Sequence, residues 1–112
     1  MLKTSKLKRI SEYYSDDYNH NSDDKIYKVK VSSLGWLNLM NYSIKNSEYK
    51  TPDAWYKNWK FLGIQFDRSG SIFGTEDALN LFASHAEVVN KIIKSAVTKN
   101  MIKNIKENKE LV

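Results

Sequence analysis

The sequence predicts an α+β fold: a small antiparallel sheet of one N-terminal strand plus a hairpin, two short helices and a long C-terminal amphipathic helix. Three patterns predict it. Ile26–Val31 (IYKVKV) alternates apolar and basic side chains, the period of two that lays one strand face on a core. Residues Phe61–Phe66 and Ser71–Phe73 flank Asp67-Arg-Ser-Gly70, a hairpin signature in which Gly70 supplies a positive φ. From Thr75 onward, apolar residues recur at helical spacing.

Taken in order, the first 25 residues form an N-terminal arm and loop ahead of one α+β domain spanning residues 26–112. The arm opens with basic residues and continues into a polar stretch holding Glu12, Asp16, Asp17, Asp23 and Asp24, which has neither helical nor strand period. After the first strand, Ser32 or Ser33 caps a helix that puts Trp36, Leu37, Met40 and Ile44 on one face and ends near Asn46. Thr51-Pro52-Asp53 starts the next: Thr caps, Pro fits the first turn, and Asp meets the positive end of the helix dipole. Trp55 and Trp59 stand four apart on it and read as core. Continuation of that helix through Gly63 competes with the hairpin for Phe61 and Leu62.

Thr75, with Glu76 and Asp77 behind it, begins the strongest element. Leu81, Phe82, Val88, Val89, Ile92, Ile93 and Ala96 read as one buried stripe, opposite Lys91 and Lys94. Met101, Ile102 and Ile105 fall about half a turn away from it at roughly 100° per residue. One straight helix cannot bury both stripes against one core. Either the chain breaks near residues 98–100, or Met101, Ile102 and Ile105 meet another molecule, a second copy included.

Composition narrows function. The chain has 112 residues, net charge +5 and no cysteine, which excludes disulfides, thiolate nucleophiles and Cys-ligated metal sites. The absence of disulfides in so small a chain favours a reducing compartment, and the N-terminus lacks the apolar run of a signal peptide, so the cytoplasm is expected. No stretch approaches the ~20 apolar residues of a membrane span, and no membrane partner is expected. Only Arg9 and Arg68 carry a guanidinium, against sixteen lysines. Arg is the side chain that reads guanine edges with two parallel bonds, so sequence-specific DNA recognition is disfavoured. Abundant Lys, Asn and Ile is also the profile of an AT-rich coding sequence, which by itself accounts for much of the basicity.

The constellations that could carry chemistry are incomplete. Asp17, Asn19, Asn21 and Asp23 match oxygen-ligand positions of an EF-hand loop, but Ser22 replaces the turn glycine and Lys28 replaces the bidentate glutamate. His20 and His85 each stand alone. Glu48-Tyr-Lys50 has the spacing of half a metal-nuclease motif, but its context reads as a loop rather than a strand. No cofactor and no enzymatic activity are expected.

Two binding surfaces are expected instead. Tyr13, Tyr14, Asp16, Asp17 and Tyr18 offer rigid aromatics with negative charge, suited to a protein or nucleoprotein partner. Met101, Ile102 and Ile105 add an apolar stripe rimmed by lysine. The expected function is a small binding protein that docks on and modulates a larger complex. One concrete form is a mobile-element inhibitor of a host defence system of the CRISPR type, guided by nucleic acid. The alternative is a non-specific nucleic-acid binder whose Lys57, Lys60, Lys99, Lys103 and Lys106 pair with phosphates beside stacking aromatics.

Overall fold

The computed structural model describes residues 25–112. Strand β1 (Tyr27–Lys30) leads into helix α1 (Ser33–Lys45), then helix α2 (Pro52–Leu62). Strands β2 (Gln65–Asp67) and β3 (Ser71–Gly74) follow, then helices α3 (Glu76–Ile93) and α4 (Ala96–Glu107), and strand β4 (Glu110–Leu111). This is the α+β arrangement expected, with one helix and one strand more than the sequence suggests.

Each start is set by a hydroxyl. Ser32 accepts from the Leu34 amide, Thr51 from Ala54, Thr75 from Ala78 and Ser95 from Thr98. Such caps satisfy amide groups that the first turn leaves unpaired, each contributing about 1 kcal/mol. The competition over Phe61 and Leu62 resolves in favour of the helix. Gly63 closes α2 in the left-handed region at φ 108°, and the hairpin begins only at Gln65. Its turn is made as expected by Gly70, at φ 97°.

The sheet runs β2-β3-β1-β4 with antiparallel neighbours. Phe66 lies opposite Ile72, and Ile72 opposite Val29, so these three share the face that meets the helices. Gln65, Phe73 and Lys28 line the other face in the same register. The core lies between the inner face and the four helices. Trp55, Leu39, Ile64, Leu79, Phe82 and Ile105 are fully enclosed there.

The C-terminal region departs from expectation in three ways. First, the long helix is two helices, and the break comes at Lys94 and Ser95 rather than at residues 98–100. Lys94 takes a left-handed φ of 52°, its amide donates to the Asn90 carbonyl, and the Asn90 side chain accepts from the Ser95 amide at 2.8 Å. Second, the reversal folds α4 back onto α1, so Met101, Ile102 and Ile105 are core residues, closed to any partner. Gly35 makes the approach feasible: a Cβ there would stand 2.9 Å from that of Met101. Buried Thr98 donates to the Gly35 carbonyl, and Asn38 donates to Ser95 and Thr98 across the same contact. Third, the apolar arc of α3 is too wide for one face. Ala78, Leu79, Phe82, Ala83, Ala86 and Val89 are buried, while Leu81, Val88 and Ile92 are 49%, 60% and 61% exposed.

Candidate binding cleft

The surface with the most chemistry lies where the start of α1, the end of α2 and the hairpin meet. Ser33, Trp36 and Leu37 come from α1, and Tyr56 and Lys60 from α2. Ile64 through Arg68 and Phe73 complete a cleft of about 710 Å³.

Its floor is the outer side of the aromatic core. The Trp36 indole N–H donates to the Tyr56 hydroxyl at 3.0 Å, which ties α1 to α2. Phe66 stands between them, 5.0 Å from the Trp36 ring and 5.3 Å edge-on from Tyr56. Behind it, Trp55 and Phe82 pack at 5.3 and 5.6 Å. A floor built this way is rigid, because Phe66 is held by Trp36, Trp55, Tyr56 and Phe82 at tilted or edge-on angles.

The rim is polar and carries charge of both signs. Lys60 and Arg68 are exposed, and among the described residues neither forms an ion pair. Asp67 is occupied: the Ser69 hydroxyl and amide both donate to it, and the hydroxyl in particular holds its carboxyl below the usual range. Around the corner, the Lys28 ammonium sits 5.8 Å over the Phe73 ring.

One wall is an unfinished sheet. Strand β2 pairs with β3 on one side and is last in the strand order, so among the described residues its other side meets no strand. Alternate amide and carbonyl groups along that side are available to an incoming chain.

Of the residues expected to act that are among the described residues, Lys60 lines this cleft. Lys57 is one turn before it on α2 and pairs with Asp53 at 3.1 Å. Lys99 and Lys103 are exposed on α4, where Lys106 pairs with Glu87. Helix α4 packs on the Gly35 and Asn38 side of α1, whereas α2 packs on its Trp36 side. The five lysines therefore lie on two helices that pack on different sides of α1. Tyr13, Tyr14, Asp16, Asp17 and Tyr18 lie outside the described residues, as do the basic start and the EF-hand-like stretch.

Sequence reasoning missed Trp36, Phe66, Arg68 and Phe73 as a group. Arg68, one of two arginines in the chain and placed in a hairpin turn, was the available signal. Glu48 and Lys50 sit in the turn region between α1 and α2, away from any strand. Among the described residues, no three His, Asp or Glu side chains gather as a metal site, and no helix is long and apolar enough to cross a membrane. Comparison of the chain with protein-family models, with curated proteins and with solved structures finds no match.

Proposed function

We propose that this chain is a small binding protein that docks on a larger partner by taking an extended acidic segment of it into the cleft beside β2. The observation that carries this reading is the edge of β2, which meets no strand among the described residues and runs along an aromatic floor, with Lys60 and Arg68 at the rim forming no ion pair among those residues. An extended peptide laid against such an edge gains backbone hydrogen bonds, and its alternate side chains point toward the floor. Acidic residues between them meet the lysine and the arginine. Guanidinium suits a carboxylate particularly well, since it can donate two parallel bonds.

Amide chemical-shift mapping tests the reading, with a seven-residue peptide of alternating glutamate and phenylalanine as probe. The expected result is perturbation confined to Ser33–Leu37, Tyr56–Lys60 and Ile64–Arg68, weakened by Arg68→Glu. Shifts confined to α4, or no shifts, overturn it. A single-stranded oligothymidine titrated in parallel marks the nucleic-acid alternative. If it binds the cleft more tightly than the peptide and loses affinity steeply with salt, nucleic acid is the ligand.

A further inference from the structure

Helix α3 leaves Leu81, Val88 and Ile92 on the surface, although most of its apolar residues are buried. With half-buried His85, these positions follow spacings of four, three and four residues. That is the alternation by which one helix packs along another. The stripe covers roughly 16 Å of helix at 1.5 Å per residue. It is separate from the cleft, none of whose residues belong to α3.

Charge along α3 is graded. Glu76 and Asp77 are exposed at its start, Asn80 and Ser84 are exposed and uncharged in the middle, and Lys91 and Lys94 are exposed at its end. Glu87, the acidic residue in the second half, is tied to Lys106. The helix dipole, positive at the acidic start and negative at the basic end, partly offsets this gradient, and antiparallel neighbours have their dipoles opposed.

We propose that the stripe is covered by a second copy of this chain, the two α3 helices packing antiparallel. In that register Leu81 meets the partner's Ile92, and His85 meets the partner's Val88. The acidic start of each helix then lies toward the basic end of the other. A parallel pair would set Asp77 beside Asp77 and Lys91 beside Lys91. Self-complementarity of this kind is what a two-fold dimer requires. Three exposed apolar side chains per copy make a small contact, below the ~1,200 Å² typical of stable complexes, so the dimer is weak and concentration-dependent.

Sedimentation equilibrium from micromolar to millimolar protein tests the proposal. The wild type should shift from monomer toward dimer. Val88→Glu should lower the association constant by more than about tenfold, because an unpaired carboxylate would be buried in the contact. Its melting temperature at low concentration should stay unchanged, since Val88 is exposed. Ile92→Lys provides the same test should Val88→Glu fail to fold. Direction is read by disulfide trapping, aided by the lack of native cysteine. Ser84→Cys mixed with Lys91→Cys should cross-link mainly as the hetero-pair. A wild type monomeric at millimolar concentration, or a dimer indifferent to both charged variants, overturns the proposal. Ser84→Cys linking to itself faster than to Lys91→Cys overturns the antiparallel order.

Discussion

Gly70 shows how much of this hairpin rests on one residue. Its φ of 97° lies where L side chains are strained, and an added Cβ would stand 2.7 Å from the Val31 carbonyl oxygen. The Gly70 carbonyl also accepts from the Val31 amide at 2.7 Å, joining the turn to the end of the first strand. Gly70→Val should therefore cost about 1–3 kcal/mol, read as a lower denaturation midpoint. An unchanged midpoint would mean the turn tolerates a side chain. His85 makes a second case. Its ring packs 5.2 Å from Trp59, and Nε2 has no hydrogen-bond partner among the described residues. Burial pushes its pKa below the ordinary 6.5, opposed in part by Glu48. The unfolded chain thus takes up this proton at higher pH than the folded one. The stabilising difference is present above about pH 6.5 and is lost as pH falls from there through the depressed folded value. Melting curves should show His85→Leu losing less stability than the wild type between pH 7 and 5.

At the scale of elements, α4 decides more than its length suggests. It fills the side of α1 that Gly35 leaves open, and its Met101, Ile102 and Ile105 complete the core. Truncation after Val97 should abolish cooperative folding, because it removes these three side chains, buried Thr98 and strand β4 together. Ile105→Ala is the milder version, expected to cost about 2–5 kcal/mol in a denaturant titration. A truncated chain that melted like the full one would make α4 an appendage. The sequence signal for the break was present but weak. Ser95 and Thr98 suit the start of a helix, yet Lys94 gives no sign of a left-handed residue, a place usually taken by glycine or asparagine.

Across the whole molecule, sheet and helices share one aromatic centre. Trp55 and Trp59 from α2, Phe66 from β2 and Phe82 from α3 lie within 6.4 Å of one another, centre to centre, wherever their rings meet. Tryptophan fluorescence and far-UV circular dichroism should consequently report one coincident unfolding transition. Separate midpoints would show that the hairpin melts apart from the helices. The same centre separates two roles for the tryptophans. Trp59→Ala should destabilise by about 3–5 kcal/mol, seen in the same experiment. Changes at Lys60 and Arg68 should leave the midpoint almost unmoved, as exposed charges with no ion pair among the described residues contribute little.

Element type was determined by local sequence. Capping hydroxyls at Ser32, Thr51 and Thr75, the alternation of Ile26–Val31 and the glycine at position 70 each act within a few residues of chain. The two-residue strand β4 carried no such pattern, because it exists only where β1 offers an edge to pair with. Facing was likewise a matter of neighbours. Periodicity marked α3 as broadly apolar but could not say which part of that arc the core would reach. It joined Leu81, Val88 and Ile92 to the buried stripe, and it left Met101, Ile102 and Ile105 open to a partner. The reversal at Lys94 and the close approach at Gly35 exchanged those outcomes. The cleft has the same origin, since Trp36, Tyr56, Phe66 and Arg68 lie on three elements and are brought together only by packing. Caps and turns are written in adjacent residues, whereas exposure depends on which distant surfaces arrive, and that is set by the tertiary fold.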